Sequence, residues 1–173
     1  DLVVQLPTAP KSDWVAASHH CGLIEHNIRF LKEKIHSLRH SLPFKRVPGI
    51  MVVRMVLHIV KFVNGFPRRG GVKHYSPGEI ITDRFLNAND LKLSFGVYCQ
   101  VAENVEPRNS LTPRTRAAIS LGNSGNLSGG QMFFALDTGH TITRHQWVLL
   151  PMPPAVIGRV NLFGKDEPSI LTF

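Results

Sequence analysis

At 173 residues the chain is long enough for one ordinary domain or two small ones, and 43% hydrophobic against 18% charged residues excludes a disordered chain. The net charge of +8 sits entirely in the first part: residues 1–75 hold 12 Lys/Arg against 4 Asp/Glu, and residues 76–173 hold 8 against 8. That asymmetry predicts a polyanion-binding face in the first part and argues against a uniformly basic protein.

In chain order, residues 2–6 (LVVQL) suit a short strand and residues 7–17 a loop, with Pro7, Pro10 and Ser12 breaking any period. A first helix is predicted over residues 22–40. Leu42-Pro43 and Val47-Pro48-Gly49 separate it from a second over residues 50–64, which Asn64-Gly65 and Pro67 end. The longest apolar run, residues 50–63, is 14 residues long and is interrupted by Arg54, His58 and Lys61. A membrane span needs about 20 apolar residues, so this segment reads as a buried helix carrying one narrow wet or partner-facing stripe.

Ser76-Pro77-Gly78-Glu79 reads as a capping box ahead of a short helix over residues 79–85. From residue 93 the pattern changes to short β-type runs at 97–102, 115–121, 131–136, 141–143 and 146–149. Turn signals at 122–126, 128–130 and 137–139 divide them, which predicts a small antiparallel barrel. Residues 153–173, opening on Pro153 and Pro154, read as a tail open to disorder.

Cys21 and Cys99 lie 78 positions apart and supply neither a disulfide framework nor a short metal-binding pair, which suits a reducing intracellular compartment. The first residues, Asp1-Leu2-Val3-Val4, show no secretory signal and no methionine, so the chain reads as a piece of something longer.

The first helix carries the best functional clue. Glu25, Arg29, Lys32, His36 and Arg39 recur at spacings of 4, 3, 4 and 3, beside an apolar series of Ile24, Ile28, Leu31, Ile35, Leu38 and Leu42 at 4, 3, 4, 3 and 4. Both have the helical period, so an acid heads a row of basic groups about 100° around from the apolar stripe. A carboxylate in that place can hold a metal while the row holds a polyanion. An ordinary helix pair of Glu25 with Arg29, contributing about 0.2–0.5 kcal/mol, is the plainer alternative.

Gly22-Leu23-Ile24-Glu25 with Ile28-Arg29 and Lys32 resembles the segment bearing the third acid of retroviral and retrotransposon integrases. Further along, Leu42-Pro43-Phe44-Lys45-Arg46, Val63-Asn64-Gly65-Phe66-Pro67 and Tyr75-Ser76-Pro77-Gly78-Glu79-Ile80 are similar to successive landmarks of copia-type retrotransposon integrases. Leu93-Ser94-Phe95-Gly96-Val97-Tyr98, Pro113-Arg114-Thr115-Arg116, Ile119-Ser120-Leu121-Gly122 and Thr143-Arg144-His145-Gln146-Trp147 resemble the small Src-homology-3-like barrel that follows the core there. The resemblance spans residues 2–152 and rests on the order of these segments.

It implies an α+β chain: residues 1–92 as the last strand and helices of a ribonuclease-H-like core, residues 93–152 as the Src-homology-3-like barrel, and residues 153–173 as a tail. It also implies Glu25 as the catalytic glutamate, one of three carboxylates that hold two Mg²⁺ or Mn²⁺ ions for DNA strand transfer. Arg29 and Lys32 take the places of the family's DNA-end contacts. Apart from the resemblance, the basic row and the turn after it add His36, Arg39, Lys45 and Arg46 as DNA contacts, and Arg114, Arg116 and Arg144 either grip nucleic acid from the barrel or face water. The expected partner is DNA, with no membrane; the alternatives are a non-enzymatic module that self-associates through the two apolar helices and a decayed transposon remnant. The location is intracellular, and nuclear for a eukaryotic retrotransposon.

The spacing of the acids departs from the family. Asp13 lies 12 positions before Glu25 and Asp1 lies 24 before it, neither matching the family's aspartates, so the chain alone is expected to be inert and to hold no metal tightly. His19-His20-Cys21 with Cys99 are poorly spaced for tetrahedral zinc. No Gly-x-Ser-x-Gly element anchors a hydrolase triad, and the glycine-rich 122–130 lacks the lysine of a phosphate loop. Tyr98 and Trp147 read either as stacking surfaces for nucleic acid or as barrel packing.

Overall fold

A computed structural model of the chain describes residues 22–68, 71–72, 74–86, 88–103, 113–126 and 128–165. The expected strand at 2–6 and the residues Asp1, Asp13, His19, His20 and Cys21 lie outside them.

Helix α1 (Gly22–Ser41) has the predicted period. Glu25 stands in its first turn and Arg39 in its last, each charge matched to the helix dipole. Proline at 43 ends it, because the residue before a proline is pushed out of the helical region. Arg39 then ties the turn together, donating to the carbonyls of Phe44 at 2.7 Å and Lys45 at 2.8 Å.

Helix α2 (Gly49–Gly65) buries Met51 and Met55, one turn apart, while Val53 and Leu57 stay 59% and 52% exposed. Helix α3 (Pro77–Thr82) starts on the expected capping box, Glu79 N–H donating to Ser76 Oγ at 3.1 Å and Ser76 N–H to Glu79 Oε2 at 2.7 Å. It begins two residues before the predicted start because Pro77 is itself helical, and it stops early because Asp83 turns left-handed at φ 52°. A short 3₁₀ turn (Ala88–Leu91) leads into the sheet.

The strands are β1 (Tyr98–Ala102), β2 (Thr115–Asn123), β3 (Gln131–Ala135), β4 (Thr141–Arg144) and β5 (Trp147–Leu149). They form one antiparallel sheet in the order β4-β3-β2-β1-β5, so β4 and β5 are its edges and, among the described residues, the sheet is open where a closed barrel was expected. It is nevertheless strongly curled. Four strand spacings would separate flat edges by about 19 Å, yet the two residues linking β4 to β5 span at most about 11 Å. The side chain of Arg144 crosses the remaining gap, its Nε donating to the carbonyl of Ala102 at 2.9 Å.

Alternation along the strands gives the sheet two apolar faces. Tyr98, Ile119, Leu121 and Phe134 pack with Phe44, Met51, Met55, Val156 and Val160. Their neighbours Cys99, Val101, Ala118 and Phe133 fill the concave side with Leu93, Val97, Ile142 and Trp147. Curling is what covers this second face, since the sheet's own edge residues close over it. The first core includes residues from before 92, from the sheet and from beyond 152, so the division at 92/93 runs through a shared interior.

The tail needs correcting. Within it, residues Pro154–Phe163 form helix α4, with Val156 and Val160 buried against the sheet. Pro154 opens this helix, because a proline at the first helical position lacks only an N–H that the helix would leave unbonded anyway. Among the described residues no helix is long and apolar enough to cross a membrane.

Candidate nucleic-acid interface

Helix α1 leaves the body at its N-terminal end. Ile35, Leu38 and Leu42 of its apolar stripe pack on the core, whereas Ile24 and Ile28 remain 58% and 48% exposed. Glu25, Arg29, Lys32 and His36 are all exposed along this projecting rod, on the single face that their spacing dictates. Arg39 continues the row but is half-buried, with part of its guanidinium committed to the two carbonyls of the following turn. Lys45 and Arg46 are exposed on that turn, whose backbone is fixed by Arg46 N–H donating to Asn161 Oδ1 at 3.0 Å. The structure therefore joins Glu25, Arg29, Lys32 and His36 in one line and sets Lys45 and Arg46 beyond its C-terminal end.

A metal needs more than Glu25. Among the described residues no group of three or more His, Cys, Asp or Glu side chains could hold an ion, so those residues by themselves do not fit a two-metal centre. Cys99 is wholly buried in the concave core, which pushes its thiol up to about 11. It packs as an inert small hydrophobe.

The barrel arginines are tied down. Arg116 pairs with Glu103 and, at 3.2 Å, with Asp137; Arg144 reaches the other Glu103 oxygen at 3.6 Å. Two guanidiniums and two carboxylates cancel, leaving little net field for a phosphate there. Arg114, beside them, is exposed. Trp147 is half-buried and packs on Phe133 at 6.0 Å between ring centres, and Tyr98 is buried and accepts from Gln100 Nε2 at 2.9 Å. These two aromatics serve packing. Glu103 and Asp137 were missing from the sequence reading because only the strand register brings them to the arginines.

Two members of the polar stripe of α2, His58 and Lys61, meet the protein's own residues, contrary to the wet or partner-facing expectation. Lys61 donates to Asp90 Oδ1 at 3.0 Å and to Asn123 Oδ1 at 3.2 Å. The His58 ring sits 4.5 Å from Phe62 and 5.4 Å from Phe95, centre to centre. It also covers Gly122, where a β-carbon would lie 2.5 Å from His58 Nδ1 and where φ is 87°. Glycine is required there on both counts.

Burial first, and the neighbouring Lys61 ammonium second, hold His58 below its ordinary 6.5. Between that lowered value and 6.5 the unfolded chain binds the proton and the folded chain does not. Stability is therefore full above 6.5 and falls as the pH drops through 6.5 towards the lowered value. Urea unfolding at pH 7.5 and 5.5 should show a loss that shrinks in His58→Gln; an equal loss in both proteins would remove His58 from the account.

Comparison of the chain with protein-family models, with curated proteins and with solved structures finds no significant match.

Proposed function

We propose that the chain is the carboxy-terminal part of a copia-type retrotransposon integrase that binds DNA through α1, without catalysis of its own. The observation carrying this reading is the row of Glu25, Arg29, Lys32 and His36, exposed on one face of a helix that projects from the body. The resemblance places the family's glutamate at Glu25 and its DNA-end contacts at Arg29 and Lys32. Arginine can grip a phosphate with two parallel hydrogen bonds, and lysine adds a point charge. DNA integration belongs to the full-length protein in this reading, with Mg²⁺ or Mn²⁺ held by Glu25 only together with two aspartates.

The sheet supports the second half of the reading. Its order β4-β3-β2-β1-β5, with a two-residue link between the edge strands, is compatible with the Src-homology-3-like barrel in an open, curled form. Helices α1 and α2, which pack on its outer face, would be the end of the ribonuclease-H-like core.

Binding should be largely independent of sequence and steep in salt, since phosphate contacts release counterions. In fluorescence anisotropy between 50 and 200 mM salt, Arg29→Ala/Lys32→Ala should weaken binding to all duplexes alike. It should also reduce the slope of log affinity against log salt by about 2. A flat salt response of the parent protein, or an unchanged slope in the double variant, would sink the reading.

One observation favours self-association as a second reading. Ile50, Val53 and Leu57 line the outward side of α2 at helical spacing, and all three are exposed. Sedimentation with and without DNA separates the two, because an oligomerisation module would assemble without it.

A further inference from the structure

A second feature of α1 shares His36 with the basic row but rests on a different pairing. His36 and His40 stand one helical turn apart and both are exposed. Their rings lie nearly parallel, 6.4 Å between centres and 26° between planes. A separation of four residues on a helix is the spacing that places two imidazoles on one cation in helical zinc sites. We propose that His36 and His40 form an exposed two-imidazole chelate for a borderline divalent cation of the Zn²⁺, Ni²⁺ or Cu²⁺ type, with water completing the coordination.

Two nitrogens each about 2.05 Å from a tetrahedral ion are about 3.4 Å apart. Rotation about the exposed side-chain torsions brings two facing rings from their observed separation to that distance without moving the helix backbone. Imidazole selects this class of ion, because Mg²⁺ and Ca²⁺ require oxygen ligands. The local charge is mixed. Lys32 lies one turn before His36, Glu33 lies beside it on the same turn, and the Arg39 fork is turned to the carbonyls of Phe44 and Lys45. Two protein ligands make a moderate site, one that occupies an already formed helix and stabilises it by mass action.

Titration of the full chain with Zn²⁺ alone, followed by calorimetry, should show one equivalent bound, and Zn²⁺ should raise the melting temperature. His36→Ala and His40→Ala should each weaken binding by at least about tenfold, a loss that even outer-shell changes at metal sites reach. Ser37→His/His40→Ser keeps the composition but turns the two rings about 100° apart around the helix, so it should weaken binding as much. His26→Ala should leave it unchanged, and Mg²⁺ should not displace Zn²⁺. Unchanged melting of the variants without metal shows that they are folded. Full-strength binding in His36→Ala/His40→Ala or in the spacing variant, or displacement by Mg²⁺, would overturn the assignment, while the DNA reading is tested separately by the salt slope of Arg29→Ala/Lys32→Ala.

Discussion

Phe134→Ala should lower the unfolding free energy by about 3–5 kcal/mol, the cost of truncating a buried phenylalanine where neighbours cannot close the gap. Against a typical total of about 5–15 kcal/mol this is a large fraction of the stability. Phe134 lies on β3 and is 1% exposed. Its ring meets that of Phe163 edge-on, 5.4 Å between centres and 89° between planes, so it ties the sheet to α4. Arg159 covers the far side, its guanidinium 4.6 Å from the Phe163 ring centre and its Nε donating to Leu136 O at 3.0 Å. Urea denaturation with an unchanged m-value would show the loss to be one of stability alone. A loss below about 1 kcal/mol would mean that the helices do not seal this face of the sheet.

Glu103→Ala should cost about 1–3 kcal/mol. Removing one partner of a fully buried ion pair costs about 3–5 kcal/mol. Here the exposure of the side chains, 18% for Glu103, 19% for Arg144 and 29% for Arg116, reduces that figure. The variant leaves two guanidiniums side by side at the end of β1 with Asp137 as the remaining acid of the cluster. Their repulsion is screened by salt, so the deficit should shrink as ionic strength rises. Glu103→Gln separates charge from packing and should show the same salt trend. A deficit independent of salt would place Glu103's contribution in packing, and the barrel arginines would then return as candidates for DNA contact.

Local patterns in the sequence foretold most of the elements, because their causes are local. The 4-3-4-3 spacing of α1, the capping box of Ser76 and Glu79, and the prolines and glycines between segments all act within a few residues. Helix α4 had such a signal too. Val156, Val160 and Phe163 recur at helical spacing behind Pro154, but Pro151, Pro153 and Pro154 together suggested an ending. One proline can close an element or open the next, and only the apolar period after it distinguishes the two.

The candidate site divides in the same way. The face shared by Glu25, Arg29, Lys32 and His36 follows from helical geometry, so chain spacing alone was enough to draw it. Whether that face meets water or a core is a matter of packing, and the exposure of Ile24 and Ile28 beside it could not be read from their apolar character. The polar stripe of α2 shows the opposite outcome: Arg54, His58 and Lys61 have the same spacing logic, yet His58 is enclosed by Phe62, Phe95 and Gly122.

By itself the sequence determined α1 to α3, the five strands, the turns and the one-sided basic row, since propensity, capping and periodicity are properties of neighbouring residues. Only the tertiary structure decided which arginines keep their charge for a partner. Arg116 and Arg144 meet Glu103 through strand register and sheet curl, bringing together groups as many as 41 residues apart. Charge cancels through space, and distance in space is set by the fold.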